Sequence, residues 1–396
     1  MRARPAKSAR RDTLHLVQSV HVLGDGCAGL SLAAQANALP HHRITVITPK
    51  NAPRVKDHVW GFWRVKGLEA AAGLARHKWV KWSIKTSAGS VVMTSVVHSY
   101  HALQRRRWET HCRQQATNHG VTFAAQNAVK PDPAAQILDS RPPQLPNGQM
   151  IQHFIGWEVQ AASGSFDPTT AILMDFRCDQ SRGIHFIYML PFSSSSALVE
   201  STMFAEHREP DIFFESAIRN YLLVEHGVEK FKIINTESGS IPLGRLPSKV
   251  SAFTGIGGNG GAVRPSSGYA FSFIQKQIAA TLAAANVEDT THGSPLVVKC
   301  PHEPVDLWMD ELFVTVLRNW PGVAAELFLR MARELSGDEF ALFLSGEANW
   351  RLRAKVVLSM PKWVFFKAAA LYLLGWSGLA PNYPRSKAPT GHAEWH

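Results

Sequence analysis

The stretch His21-Val22-Leu23-Gly24-Asp25-Gly26-Cys27-Ala28-Gly29-Leu30 decides how the chain begins. The run that leads into it, residues 13–23 (TLHLVQSVHVL), reads as a buried strand. GDGCAGLSLAAQANAL reads as a turn and helix, and Arg43–Thr48 (RITVIT) as a second strand, which together make one βαβ unit with GxGxxG at its first turn. Gly24 permits the tight turn, Gly26 lets backbone approach a pyrophosphate, and Gly29 allows close helix–strand packing, with the phosphate charge received at the helix N-terminus. The pattern predicts a bound dinucleotide. One part is missing. The acidic residue that ordinarily holds the adenosine ribose at the end of the second strand is replaced by Thr48, followed by Pro49 and Lys50. A threonine hydroxyl contacts ribose less strongly, so either affinity is reduced or the ribose is held from elsewhere.

A second glycine-dense segment, TGIGGNGGAVRPSSGYAFSFIQ, covers residues 254–275. It lacks the Lys-Ser/Thr ending of a nucleotide P-loop, so ATP and GTP are not indicated. It leads into a helix whose register runs Phe271, Ile274, Ile278. Gly257, Gly258 and Gly260 therefore offer backbone N–H groups to a second part of the dinucleotide, such as a flavin or its ribityl chain. The alternative is a flexible surface loop.

Between the two glycine segments lie aromatic and β-branched runs broken by Pro and Gly: HVWGFWRV, WVKWSI, QHFIGWEVQ, AILMDFR, HFIYMLPFS and ALVESTMF. Their alternation suits a mostly antiparallel sheet. From Asp306 onward the pattern is helical, punctuated by Pro321 and Pro361. With 396 residues, 45% hydrophobic and 18% charged, the chain is no low-complexity or collagenous polymer. Its four cysteines lie far apart with no CxxC pair, which argues against a disulfide scaffold or zinc ribbon and fits a reducing, cytoplasmic compartment. Five of the positive charges behind the net +11 sit in the first eleven residues, a solvated basic start with no apolar segment after it. The cluster Arg105-Arg106-Arg107 stands alone without a nucleic-acid motif, so no nucleic-acid partner is expected. No stretch reaches the ~18–20 apolar residues of a spanning helix. The segment Trp363–Ala380, interrupted by Lys367, suits either a bilayer interface or the protein's own core.

Glu200 lies in ALVESTMF between apolar neighbours. If that strand faces an apolar pocket, desolvation raises the carboxyl pKa and keeps a proton available near neutral pH. If it is an edge strand, Glu200 points at solvent. The aromatic groups Trp60, Phe62, Trp63, Trp79, Trp82, Phe154 and Trp157 read first as core, and are also compatible with a cavity whose π faces stabilise a cation. The eighteen histidines show no HExxH or other metal-ligand spacing, so no metal is expected, and there is no GxSxG elbow.

Taken in order, GDGCAG, HVWGFW, DSRPP (139–143), QHFIGWEV, FDP…LMDFR (166–177), YMLPFSSSSALVEST (188–202), IPLGRLP (241–247), GGAVRPSSGYAF (260–271) and the helical residues 326–353 resemble the flavin-dependent lycopene β-cyclases of the bacterial and plant type. The resemblance implies a mixed α/β fold like that of flavin monooxygenases. Its parts would be a Rossmann-type FAD-binding domain (13–140 and 235–300), an inserted antiparallel-sheet substrate domain (141–234), and a C-terminal helical cap (301–380), with a disordered basic tail at 1–12 and a loose tail at 381–396. It implies FAD, active in its reduced form, held by Gly24, Gly26, Gly29, Thr48, Gly257, Gly258 and Gly260, with NADPH or NADH as reductant. It also implies lycopene and related carotenes as substrates, and peripheral attachment to a membrane surface near Trp363 and Trp376. Glu200 falls on the first acid of a Phe-Leu-Glu-Glu-Thr type motif and would be the catalytic acid of a redox-neutral ring closure. Two positions depart from the family: Ser201 stands where the second acid is expected, and Thr48 stands at the ribose acid. They keep open a binding protein without turnover, beside the other alternative of an oxygen-consuming flavoenzyme.

Overall fold

The computed structural model describes residues 17–50, 57–129, 132–143, 148–246, 253–288 and 294–374. The basic start, the first residues of the opening strand, Pro247, Trp376 and the last tail lie outside these residues.

A five-stranded parallel sheet runs in the order β15 (Thr254–Gly255), β9 (Gln136–Asp139), β1 (Gln18–Leu23), β2 (His42–Thr48), β8 (Thr122–Ala125). β1 is central. Val20 and Val22 are fully buried, and pair in register with Ile44 and Val46. Helix α1 (Cys27–Ala33) packs on this sheet through Ala28, Leu32 and Ala33, while its Leu30 meets Phe62, Leu103 and Trp108, and helix α3 (Arg105–Asn118) leads from the insertion back into β8.

A seven-stranded sheet has the order β14 (Lys232–Pro242), β10 (Ile151–Gln160), β13 (Ser196–Ala205), β12 (Ile184–Pro191), β11 (Thr170–Asp175), β5 (Lys81–Thr86), β6 (Gly89–Thr94). It is antiparallel except for the β11–β5 pair. Residues 81–94 and 235–242, expected in the FAD-binding part, therefore belong to this sheet. Alternation marks a strand but not the sheet it joins, because pairing is decided by residues distant in sequence. A third sheet, β3 (Val59–Trp63), β7 (Tyr100–Gln104) and β4 (His77–Trp79), has β7 in the middle. The short helix α2 (Glu69–Leu74) lies between β3 and β4.

The large sheet is covered on both faces. Helix α4 (Asp211–His226) packs Phe214, Ile218 and Leu222 against Trp157, Ile187 and Val199. The other face meets Trp63, Trp79, Trp82 and the cap helices. Nine of the ten residues of β13 are accordingly buried, so it is an interior strand and the edge-strand reading of Glu200 fails. Helix α5 (Phe271–Glu288) buries Phe271, Ile274 and Ile278, the expected register.

The cap is built from α6 (Pro304–Asn319), α7 (Ala324–Glu334), α8 (Gly337–Leu344), α9 (Trp350–Ser359) and α10 (Lys362–Leu373). One buried ion pair joins two of its helices, and a second ties it to the rest of the chain. Arg353 grips Asp306 through two bonds of 2.7 and 2.8 Å, and Arg264 reaches Asp310 at 3.1 Å from within the second glycine segment. Losing one partner of such a buried pair leaves an uncompensated charge, at a cost of about 3–5 kcal/mol.

Candidate active site

At the end of β1 the chain turns at Gly24 with φ +104°, a conformation that favours glycine. A Cβ there would lie 2.7 Å from Ser140 Oγ, and one at Gly29 would collide with Gly24 O. Gly26 differs. Its backbone is extended, and a Cβ would meet nothing nearer than Arg105 Nη2 at 4.0 Å. The turn therefore leaves open space beside a guanidinium, which is the provision a pyrophosphate needs. Arg105, set aside in the sequence as part of an isolated basic cluster, is the first residue of α3 and belongs to this site. Its Nε donates to Glu109 at 2.6 Å.

Thr48 closes β2, and its hydroxyl donates to Asp25 Oδ2 at 3.0 Å; Arg113 Nη2 reaches the same oxygen at 3.1 Å. The missing carboxylate at this strand end has a counterpart in the middle of the glycine motif.

The second glycine segment packs on the first turn. Gly257, at φ +70°, is so close to Ala28 that a Cβ would strike the alanine methyl group. Buried Gln277 fixes the loop, accepting from Gly257 N at 2.7 Å and donating to Gly260 O at 2.8 Å. Gly258 faces Pro143, 3.2 Å from a Cβ position. Gly24, Gly26, Gly29, Thr48, Gly257, Gly258 and Gly260 are thus brought to one end of the parallel sheet. The floppy-loop alternative fails, because the loop is pinned by buried hydrogen bonds. The cradle fits a dinucleotide: its crowded glycines shape the backbone, and its open one stands beside a cation.

Glu200 is 8% exposed and looks toward the tryptophan side of the large sheet. Directly opposite it are Gly156 on β10 and Tyr188 on β12, and Gly156 in turn pairs with Glu237 on β14. Burial first, and then the Glu237 carboxyl beside it, push the Glu200 pKa well above the ordinary carboxylate range. Both causes favour the protonated carboxyl. Tyr188 Oη lies 2.9 Å from Tyr100 Oη, which is 3.4 Å from Tyr269 Oη; burial raises all three phenols, so they stay neutral. Trp63 packs on Tyr100 and Tyr269 with centroids 4.8 and 5.3 Å apart. A proton donor, neutral hydroxyls and π faces in a dry setting can protonate a weakly basic carbon and tolerate the resulting cation.

Ser201 and two carboxylates of the large sheet are engaged elsewhere. Ser201 lies on the opposite face and bonds His185 Nε2 at 2.8 Å, so it is no neighbour of the Glu200 carboxyl. Glu158 is held by Arg76 at 2.6 Å, and Asp175 by Arg177 and Tyr221 at 2.7 and 3.0 Å. Trp157 packs in the core under α4, and Trp60 stacks on Phe271. Glu237, Gly156 and the three tyrosines were not legible as a site. The available signal was Gly156 itself, since a glycine inside a strand marks close approach.

The fold is that of the flavin-monooxygenase class: a Rossmann-like parallel sheet, an inserted antiparallel sheet and a helical cap. A geranylgeranyl bacteriochlorophyll reductase-like protein from Thermoplasma acidophilum shares it at TM-score 0.56 and 12% identity, over 89% of this chain and 99% of that one. A flavin-dependent halogenase from Xanthomonas campestris does so at TM-score 0.51 and 11% identity, over 90% and 84% of the two chains. The lycopene cyclase protein family matches residues 19–370, and the chain belongs to it. No curated protein sequence matches the chain.

Proposed function

We propose that this protein is a lycopene β-cyclase that closes the acyclic ends of lycopene to β-ionone rings by acid catalysis without net redox change. One observation carries the reading: a carboxyl buried among aromatic rings, its pKa raised by that burial, within a lycopene cyclase family member. Glu200 donates to the terminal double bond, the neighbouring double bond attacks the cation, and loss of a ring proton completes the product. General acid catalysis of this kind supplies ~10²–10⁴-fold. Tyr100, Tyr188 and Tyr269 orient the carboxyl's surroundings and exclude water, while Trp63, Trp79 and Trp82 offer π faces to positive charge. Gly24, Gly26, Gly29, Gly257, Gly258, Gly260 and Arg105 would hold FAD, and Thr48 with Asp25 its ribose. When bound and held reduced by NADPH or NADH, FAD would supply a negative charge favouring a nearby carbocation.

A carotene dissolves only in lipid, so the protein would work from a membrane surface. Among the described residues no single helix is long and apolar enough to cross a bilayer. Support comes from α9 and α10, which expose Leu358, Trp363, Phe366 and Leu373, with Lys367 over the Trp363 ring at 4.6 Å. An apolar cavity of about 280 Å³ between the cap helices, lined by Trp308, Phe313, Phe328 and Phe365, adds room for part of a polyene.

Expression in a lycopene-accumulating bacterial host, read by pigment chromatography, tests the proposal. Conversion to cyclic carotenes, continuing without oxygen in a reconstituted reaction containing reduced FAD, is the expected result. Unchanged lycopene with a properly folded, flavin-loaded protein would reject it.

A further inference from the structure

We infer that Glu237 is the second member of a one-proton acid–base pair, serving as the base that removes the ring proton after Glu200 has supplied the first. The inference rests on the cyclase reading above and assigns a residue that reading does not use.

Glu200 and Glu237 stand on strands separated by β10, and both are in register with Gly156. Neighbouring strands are ~4.8 Å apart, so residues two strands away are normally kept apart by the side chain between them. Here that side chain is absent. A Cβ at Gly156 would lie 2.7 Å from Glu200 Cγ and 2.9 Å from Glu237 Cγ, so the glycine lets the two carboxyls lean into one space. Both are at least nine-tenths buried. Two carboxylates in a shared dry space cannot both ionise, and one proton is retained between them.

The contacts decide which oxygen carries it. Glu237 Oε2 accepts the Val59 backbone N–H at 3.0 Å, a bond that favours the ionised form. Its Oε1 is buried and, among the described residues, has no donor but the Glu200 carboxyl beside it. Among the described residues, Glu200 Oε1 receives only the Thr202 hydroxyl at 3.4 Å. Burial raises Glu237 as well, to about 7, and Glu200 further, so the shared proton sits by preference on Glu200 and Glu237 is the readier of the two to ionise.

The cycle then balances. The Glu200 O–H bond breaks as a C–H bond forms at the terminal alkene. The second alkene's electron pair closes the ring bond and moves the cation into the ring. Glu237 takes the proton from the adjacent ring carbon, whose C–H pair becomes the ring double bond. Transfer of that proton across the Glu237–Glu200 contact restores the start, with no oxidant or reductant consumed. A fixed base also fixes where the double bond falls, because a cation without one loses a proton from any neighbouring carbon.

The test compares Glu237→Gln, Gly156→Ala and Glu200→Gln in the lycopene-accumulating host and as purified, flavin-reconstituted proteins. Glu237→Gln is expected to keep flavin, to cyclise ~10²-fold more slowly, and to yield rings with a displaced double bond. Gly156→Ala leaves both carboxyls but separates them, and should shift ring type in the same direction. Should Glu237→Gln fail to fold, wild-type protein alone still answers: an infrared carboxylic C=O band from one protonated glutamate at neutral pH is expected, and its absence overturns the pair. Wild-type rate and ring type in Glu237→Gln, with Glu200→Gln inactive, would overturn the pair and leave the cyclase standing. Wild-type activity in Glu200→Gln would instead remove Glu200 as the acid and the pair with it, whereas unchanged lycopene with folded, flavin-loaded wild type would overturn the cyclase reading itself.

Discussion

Thr48 Oγ1 donates to Asp25 Oδ2 at 3.0 Å, which places a carboxylate at the end of β2 although the strand itself ends without one. Arg113 steadies that carboxylate from α3 at 3.1 Å. The Thr48 departure is thus answered within the fold, by the variable position of the glycine motif.

Asp25→Asn should loosen FAD about tenfold, the equivalent of ~1.4 kcal/mol, as read by flavin fluorescence titration. Thr48→Glu would set a second carboxylate against Asp25 and compete for Arg113. It should therefore weaken binding, not strengthen it; a tighter complex would show that Asp25 does not serve the ribose.

Gly26→Val and Gly29→Val separate ligand from fold. A side chain at Gly26 finds open space, so that variant should keep its Tm and lose flavin. At Gly29 the new Cβ strikes Gly24 O, and the βαβ turn itself should fail, with a clear fall in Tm. Full flavin occupancy in Gly26→Val would remove the assignment of this turn.

Glu200→Gln should lower cyclisation by ~10²–10⁴-fold with flavin content unchanged. Pigment chromatography and the flavin absorbance of the same preparation check both halves.

The same substitution has an opposite effect on stability. Glu200 in the folded protein titrates well above its ordinary value of 4.5 because burial and Glu237 disfavour its charge. The folded state thus holds a proton that the unfolded chain releases above about pH 4.5. The stability tied to that proton is fully present below this pH and declines as pH rises toward the folded value. Glu200→Gln should flatten the decline and exceed wild type in Tm at pH 7–8, measured by thermal melts across pH.

Ser201→Asp puts a carboxylate into a fully buried position beside His185, whose own pKa burial lowers. It should cost several kcal/mol of stability, seen in denaturant melts, without raising turnover per folded enzyme.

The sequence by itself determined the βαβ opening, the order of the elements, the family and Glu200, because these are written in local terms. A glycine pattern between a strand and a helix, a period of two in ALVESTMF, and a run of motifs in fixed order need no distant partner to be read. Tertiary structure alone decided the rest. Strand pairing moved residues 81–94 and 235–242 into the large sheet, since backbone hydrogen bonds are the same for every partner and side-chain burial selects among them. It made β13 interior, which turned an ambiguous Glu200 into a buried carboxyl with a raised pKa, because desolvation depends on what covers a residue from elsewhere in the chain. It turned Ser201 away, brought Asp25 to Thr48, and joined Glu200 to Glu237 over Gly156 across 37 residues of sequence. Those contacts are through space, and a carboxyl's chemistry is set by its neighbours there.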